Sequence, residues 1–142
     1  MDRDMDRDFW IERTIRKIGN HLMNGRDDDL KRYNLTSNQS NSLLYFDKHP
    51  GALVLDLKDY LKISHQAARN IVERMKEKDL LYVVVSEKDA RARQVYLTES
   101  GQSTCDELKK LGSQVGTHLL RGLSEEEKQT LAGLLEKIAQ DL

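Results

Sequence analysis

The stretch SEKDARARQVYLTESG, Ser86 to Gly101, places Arg91 and Arg93 beside Asp89 and then runs directly into the alternating segment Gln94 to Leu97. The residues before it, Leu80 to Val85 (LLYVVV), are β-branched and aromatic. Two such runs separated by a charged, small-residue turn read as a β-hairpin. A lone hairpin is marginal in water, so this one has to pack on neighbouring elements.

Those neighbours read as helices. Upstream, Trp10, Ile11, Ile15, Ile18 and Leu22 recur at intervals of three and four and predict a first helix from Phe9 to about Met23, broken by Asn24 to Asp29 (NGRDDD). Thr36 and Gln39 have the spacing of a capping box for a second helix, with Leu43, Leu44, Tyr45 and Phe46 on its buried side and His49-Pro50-Gly51 as its stop. Asp56 to Lys62 (DLKDYLK) predicts a compact third helix with Leu57, Tyr60 and Leu61 on one side. Ser64 is a natural N-cap for a fourth, in which Ala67, Ala68, Ile71, Val72 and Met75 form an apolar stripe. Helix, turn and capped helix with a polar N-terminal face make a helix-turn-helix, and the hairpin after it makes a wing. Downstream, Thr98 opens a long helix through Cys105, Leu108, Leu111, Val115 and Leu119, ended by Gly122. Ser124 to Glu127 is a capping box for a last helix with Leu131, Leu134, Leu135 and Ile138 on its apolar side.

The totals narrow the classes. A chain of 142 residues with 38% hydrophobic and 33% charged residues and one proline suits a single, mostly helical, soluble domain. Net charge is -1, so any nucleic-acid binding has to be local. The single cysteine, Cys105, excludes an internal disulfide and is expected to be a packed thiol. The absence of a long apolar run points to a cytoplasmic protein and not to a membrane protein. His21, His49, His65 and His118 lack tight ligand spacing, so no metal is expected. With no phosphate-binding glycine loop and no nucleophile elbow, neither a cofactor nor an enzymatic activity is expected. The leading MDRDMDRD repeats MDRD and is read as a solvated lead-in.

Asp89-x-Arg91 followed by Val95-x-Leu97-Thr98-x-x-Gly101 resembles the wing signature of MarR-family transcriptional regulators. Leu35-Thr36-x-x-Gln39 resembles that family's second-helix start, and Leu61-x-Ile63-Ser64 with Val72-Glu73-Arg74-Met75 resembles its turn and recognition helix. Asp79 stands where a glycine usually closes the recognition helix, and Val83 where many members carry an arginine. The resemblance implies a winged helix-turn-helix over residues 36–100, flanked by dimerisation helices in 1–35 and 101–142, all in one structural unit. It also implies a homodimer on an inverted-repeat operator and a small effector, often phenolic, lipophilic or cationic. Trp10, Tyr45 and Phe46 are candidates to line the effector site, and the same residues suit core packing.

The chemistry of the residues agrees with double-stranded DNA as partner. Gln66 and Asn70 can present amide pairs to adenine, Arg69 can donate to guanine, and His65 shares their face. Ser64 and the free amides behind it suit a phosphate. Arg91, with Arg93 beside it, suits the negative minor groove, and Asp89 is placed to orient Arg91 or to pair with Arg74. Glu73 is a second partner for Arg74. Two alternatives remain at this point: a redox- or metal-responsive regulator of the same fold, and a winged-helix module that binds protein instead of DNA.

Overall fold

The computed structural model describes residues 6–142. It divides into two compact units, one ending at Cys105 and one spanning Asp106–Leu142. Residues 1–5 of the MDRDMDRD repeat lie outside the described residues. Asp6 to Asp8 are exposed, as a solvated lead-in is expected to be, but they are ordered by the helix: the Asp6 carboxylate accepts a hydrogen bond from the Phe9 amide and caps helix α1 (Arg7–Lys31).

Helix α1 also passes through the expected break at Asn24 to Asp29. A glycine inside a helix costs about 1 kcal/mol relative to alanine, so Gly25 weakens this segment locally. Tertiary contacts outweigh that cost. Arg26 donates to Ser40 Oγ at 2.8 Å and Asn41 Oδ1 at 2.9 Å, both on the next helix, α2 (Ser37–Lys48), and Leu30 is buried. The chain then reverses through Asn34, whose φ of 55° asparagine accepts better than most residues.

Thr36 caps α2 as its sequence predicts: Thr36 Oγ1 accepts from the Gln39 amide at 3.1 Å, and Gln39 Oε1 accepts from the Thr36 amide at 3.2 Å. Leu43 and Phe46 are fully buried, whereas Leu44 and Tyr45 are half-buried. After His49 and Pro50, Gly51 takes φ 82° and begins an extended link. Helix α3 (Val54–Leu61) starts two residues before the expected Asp56, because the Asp56 carboxylate reaches back to the Leu53 amide at 2.9 Å. Leu57 is buried, but Tyr60 turns outward. Lys62, at φ 56°, makes the turn into α4 (His65–Glu77), where Ser64 Oγ accepts from the Ala67 amide at 3.1 Å. Ala68, Val72 and Met75 form the buried stripe of α4.

Strands β1 (Leu81–Val85) and β2 (Arg93–Leu97) pair antiparallel, with Leu81 opposite Leu97 and Val83 opposite Val95. What the hairpin leans on is now explicit. On the outer edge of β2, the Gly51 amide donates to the Val95 carbonyl at 3.0 Å and the Val95 amide donates to the Ala52 carbonyl at 2.9 Å. At the base, the Leu80 amide donates to the Met75 carbonyl at 2.9 Å and the Leu80 carbonyl accepts from the Thr98 amide at 3.1 Å. Thr98 Oγ1 donates to the Asp79 carbonyl at 2.6 Å and accepts from the Gly101 amide at 2.9 Å. Gly101 has no alternative here, since a Cβ would stand 2.0 Å from the Leu80 carbonyl oxygen.

Helix α5 (Glu99–Leu119) carries the boundary between the units, and Cys105, at the end of the first, is completely buried. In the second unit, Ser124 and Glu127 close a capping box on α6 (Glu125–Ala139). The bonds that Glu127 accepts from Ser124 hold its carboxyl below the usual range. Among the described residues, no helix is long and apolar enough to cross a membrane.

Gly101→Ala is expected to lower stability by about 2–4 kcal/mol in chemical denaturation, since backbone has to move to admit the methyl group. Asp79, at φ 60°, is strained in the opposite sense. Asp79→Gly keeps the carbonyl that binds Thr98, relieves the left-handed conformation, and should raise stability by up to about 1 kcal/mol in the same assay.

Candidate nucleic-acid interface

Because its inner stripe is fixed by Ala68, Val72 and Met75, α4 turns a polar face outward. Ser64, Gln66, Arg69, Asn70 and Arg74 are exposed on it and His65 is half-buried. Gln66 Nε2 donates to Asn70 Oδ1 at 3.1 Å across one helical turn. The bond uses one atom of each amide, so the Gln66 oxygen, an acceptor, and the Asn70 amino group, a donor, are not spent on it. With Ser64 engaged in capping Ala67, its hydroxyl is committed to the helix start.

The wing tip is built by local hydrogen bonds. Asp89 was expected to orient the Arg91 side chain or pair with Arg74. Instead its carboxylate accepts from the backbone amide of Arg91 at 2.9 Å, and its carbonyl accepts from the Ala92 amide at 3.0 Å. The Ser86 amide closes the loop on the Ala92 carbonyl at 3.0 Å. Aspartate is suited to this role because its short side chain mimics a turn of backbone. Among the described residues, Arg74 pairs with neither Asp89 nor Glu73, and Glu73 joins Lys76 at 3.3 Å.

Between α4 and the wing lies a cleft of about 770 Å3. Its apolar floor includes Val72 and Val83, and its helix side carries His65, Arg69, Glu73 and Lys76. The wing side carries Asp89, Arg91 and Arg93. Of the residues expected at a DNA site, the cleft therefore gathers His65, Arg69, Asp89, Arg91 and Arg93, while Ser64, Gln66, Asn70 and Arg74 lie outside it. Lys76 was missed in the sequence. The signal was there in its spacing, since positions 65, 69, 73 and 76 recur at the intervals of one helical face.

The residues proposed for an effector site are divided. Phe46 is core, with 1% exposure, and meets Tyr45 edge-on at 5.4 Å. Tyr45 stacks on the outward-turned Tyr60 at 4.7 Å and lies 4.8 Å from His49. Burial first, then the nearby Asp56 and Asp59 carboxylates, push the Tyr45 hydroxyl above its usual range. Trp10 is part of a different hollow, on α1, with Arg13, Thr14 and Lys17. Among the described residues, no group of histidine, cysteine, aspartate and glutamate side chains is arranged to hold a metal ion.

Residues 33–92 match the model of the MarR family. Over 132 residues, 93% of this chain and 88% of the relative, the sequence is 22% identical to YybA of Bacillus subtilis (strain 168), an uncharacterized HTH-type transcriptional regulator. In structure the chain is similar to the transcriptional regulator SlyA, with a TM-score of 0.80 and 23% identity over 92% of both chains. It is similar also to MepR of S. aureus, solved as a DNA complex, with a TM-score of 0.78 and 24% identity over 92% of this chain and 97% of that one. At these identities the structural likeness is one of fold.

Asp89→Ala removes the side-chain acceptor of the Arg91 amide. Exchange of that amide with deuterium, followed by NMR, should accelerate, while the melting transition moves by no more than about 0.5 kcal/mol because the tip is exposed.

Proposed function

We propose that this chain, whose residues 33–92 match the MarR family of transcriptional regulators, is a homodimeric, effector-responsive repressor of an inverted-repeat operator. The observation that carries the DNA-binding part is the common placement of Arg69 on α4 and Arg91 and Arg93 on the wing around one cleft. A helix in the major groove and a wing in the adjacent minor groove require cations on both arms. Within this reading Gln66 and Asn70 face base edges, Ser64 and His65 lie at the phosphate-facing helix start, and Arg74 flanks the contact.

Support for a homodimer comes from apolar surface that the first unit and the second unit each leave uncovered. Helix α1 exposes Phe9, Ile11, Ile15 and Ile18, and α6 exposes Leu134, Leu135 and Ile138. Such rows on amphipathic helices are costly in a monomer and suit a two-fold partner. The assignment of 1–35 and 101–142 to dimerisation and of 36–100 to DNA binding follows this division of surface. An effector then acts by binding the geometry that does not fit the operator more tightly than the one that does.

The test is a titration of purified protein against the intergenic DNA beside its own gene, with random duplex as control, at several salt concentrations. Tight and specific binding with a steep negative salt slope is expected. Arg91→Ala should weaken it by about 1–3 kcal/mol with the oligomeric state unchanged in sedimentation, and equal affinity at matched salt would refute the wing contact. Gln66→Ala should instead relax base preference at one position of the site. Association with a protein and salt-independent indifference to both duplexes would favour the interaction-module reading.

A further inference from the structure

The cleft has a chemistry that base reading does not use. Its rims hold the cations Arg69, Lys76, Arg91 and Arg93 and the carboxylates Glu73 and Asp89. The Asp89 carboxylate is turned into the wing tip by the Arg91 amide, and Glu73 is drawn to Lys76 at 3.3 Å. The two lysines near the end of α4 have opposite roles. Lys78 Nζ points inward, donating to the Asn34 carbonyl and, at 3.0 Å, to Gln39 Oε1, so its charge ties α4 to the corner between α1 and α2. Lys76 faces the cleft.

We propose that the cleft is a seat for a single phosphodiester strand, with Lys76 as a phosphate-binding residue opposite Arg93, and Glu73 as the group that holds Lys76 until DNA arrives. This deepens the DNA-binding reading and rests on it. If α4 occupies a major groove and the wing the neighbouring minor groove, the strand that divides the grooves passes between them, which places it in this cleft. A phosphate there exchanges the Glu73 carboxylate for its own oxygen on Lys76. Glu73 thereby opposes binding to any duplex, independent of sequence. Lys78, turned away from the cleft, is a positioning residue for α4.

The experiment is the salt dependence of binding to two duplexes, the intergenic DNA and a random sequence of equal length, for the unaltered chain and for Lys76→Gln, Lys76→Arg, Lys78→Gln and Glu73→Gln. Loss of one phosphate contact reduces the slope of log K against log salt by about 0.9 for each protomer bound. Lys76→Gln should show that reduction on both duplexes, Lys76→Arg should keep the original slope, and Lys78→Gln should keep the slope even where it lowers the melting temperature. Glu73→Gln should tighten binding to both duplexes by a similar factor. If the unaltered chain binds with a steep slope and Lys76→Gln keeps it, or Lys76→Arg loses it as Lys76→Gln does, the phosphate seat is overturned and the regulator reading stands. If the unaltered chain shows no salt-dependent binding to either duplex, both fall.

Discussion

The contact on which the winged unit depends is the close approach of the α5 start to the Leu80 carbonyl. That oxygen accepts the Thr98 amide, and the Gly101 position lies so near it that a Cβ would stand 2.0 Å away. Thr98 completes the joint by bonding Asp79 through its hydroxyl. Asp79 follows the end of α4 and Thr98 follows β2, so this small knot joins the two arms that flank the cleft. The rest of the hold comes from the Gly51 and Ala52 bonds to Val95 on the wing and from the buried Ala68, Val72 and Met75 stripe of α4. The left-handed backbone at Asp79 is then a strain imposed by the joint, held because the surrounding hydrogen bonds outweigh it.

The helix caps were legible in the sequence, Thr98 among them, and the reasons are local; the approach of Gly101 to Leu80 was not. The Thr36, Ser64, Thr98 and Ser124 caps depend on a side chain and amides within three residues, so a short window contains the whole interaction. The hairpin itself was legible from its β-branched first run and alternating second run, with Leu81 opposite Leu97 as the register found. What a window cannot contain was misread. The NGRDDD segment has the composition of a break, yet Arg26 bonds residues fourteen and fifteen positions away and keeps the helix intact. Asp56 was placed at a helix start because it looks like a first residue, when its carboxylate serves the amide three positions back.

The site was legible as a set of residue types and less so as an arrangement. Arg69, Arg91 and Arg93 converge on the cleft, but the partner of Asp89 proved to be backbone and not a guanidinium. Lys76 and Lys78 lie two positions apart in one charged run, and only the packing of α4 decides that one faces the cleft and the other the corner beside Asn34. Composition gives both the same charge; a helix rotates two positions by about 200°, using roughly 3.6 residues per turn. The comparison shows why a near-neutral chain need not be a poor ligand for a polyanion, since its cations are sorted by face.

Cys105 gives the protein an internal clock for opening. It is the only thiol in the chain, has no exposed surface, and directs its sulfur toward the Leu43 carbonyl of α2 at 4.0 Å. A thiol reagent reaches it only when α5 lifts from α2 or the unit unfolds, so the labelling rate at fixed reagent reports the population of that open form. The same seclusion keeps ordinary oxidants from the sulfur while it stays packed against Leu43.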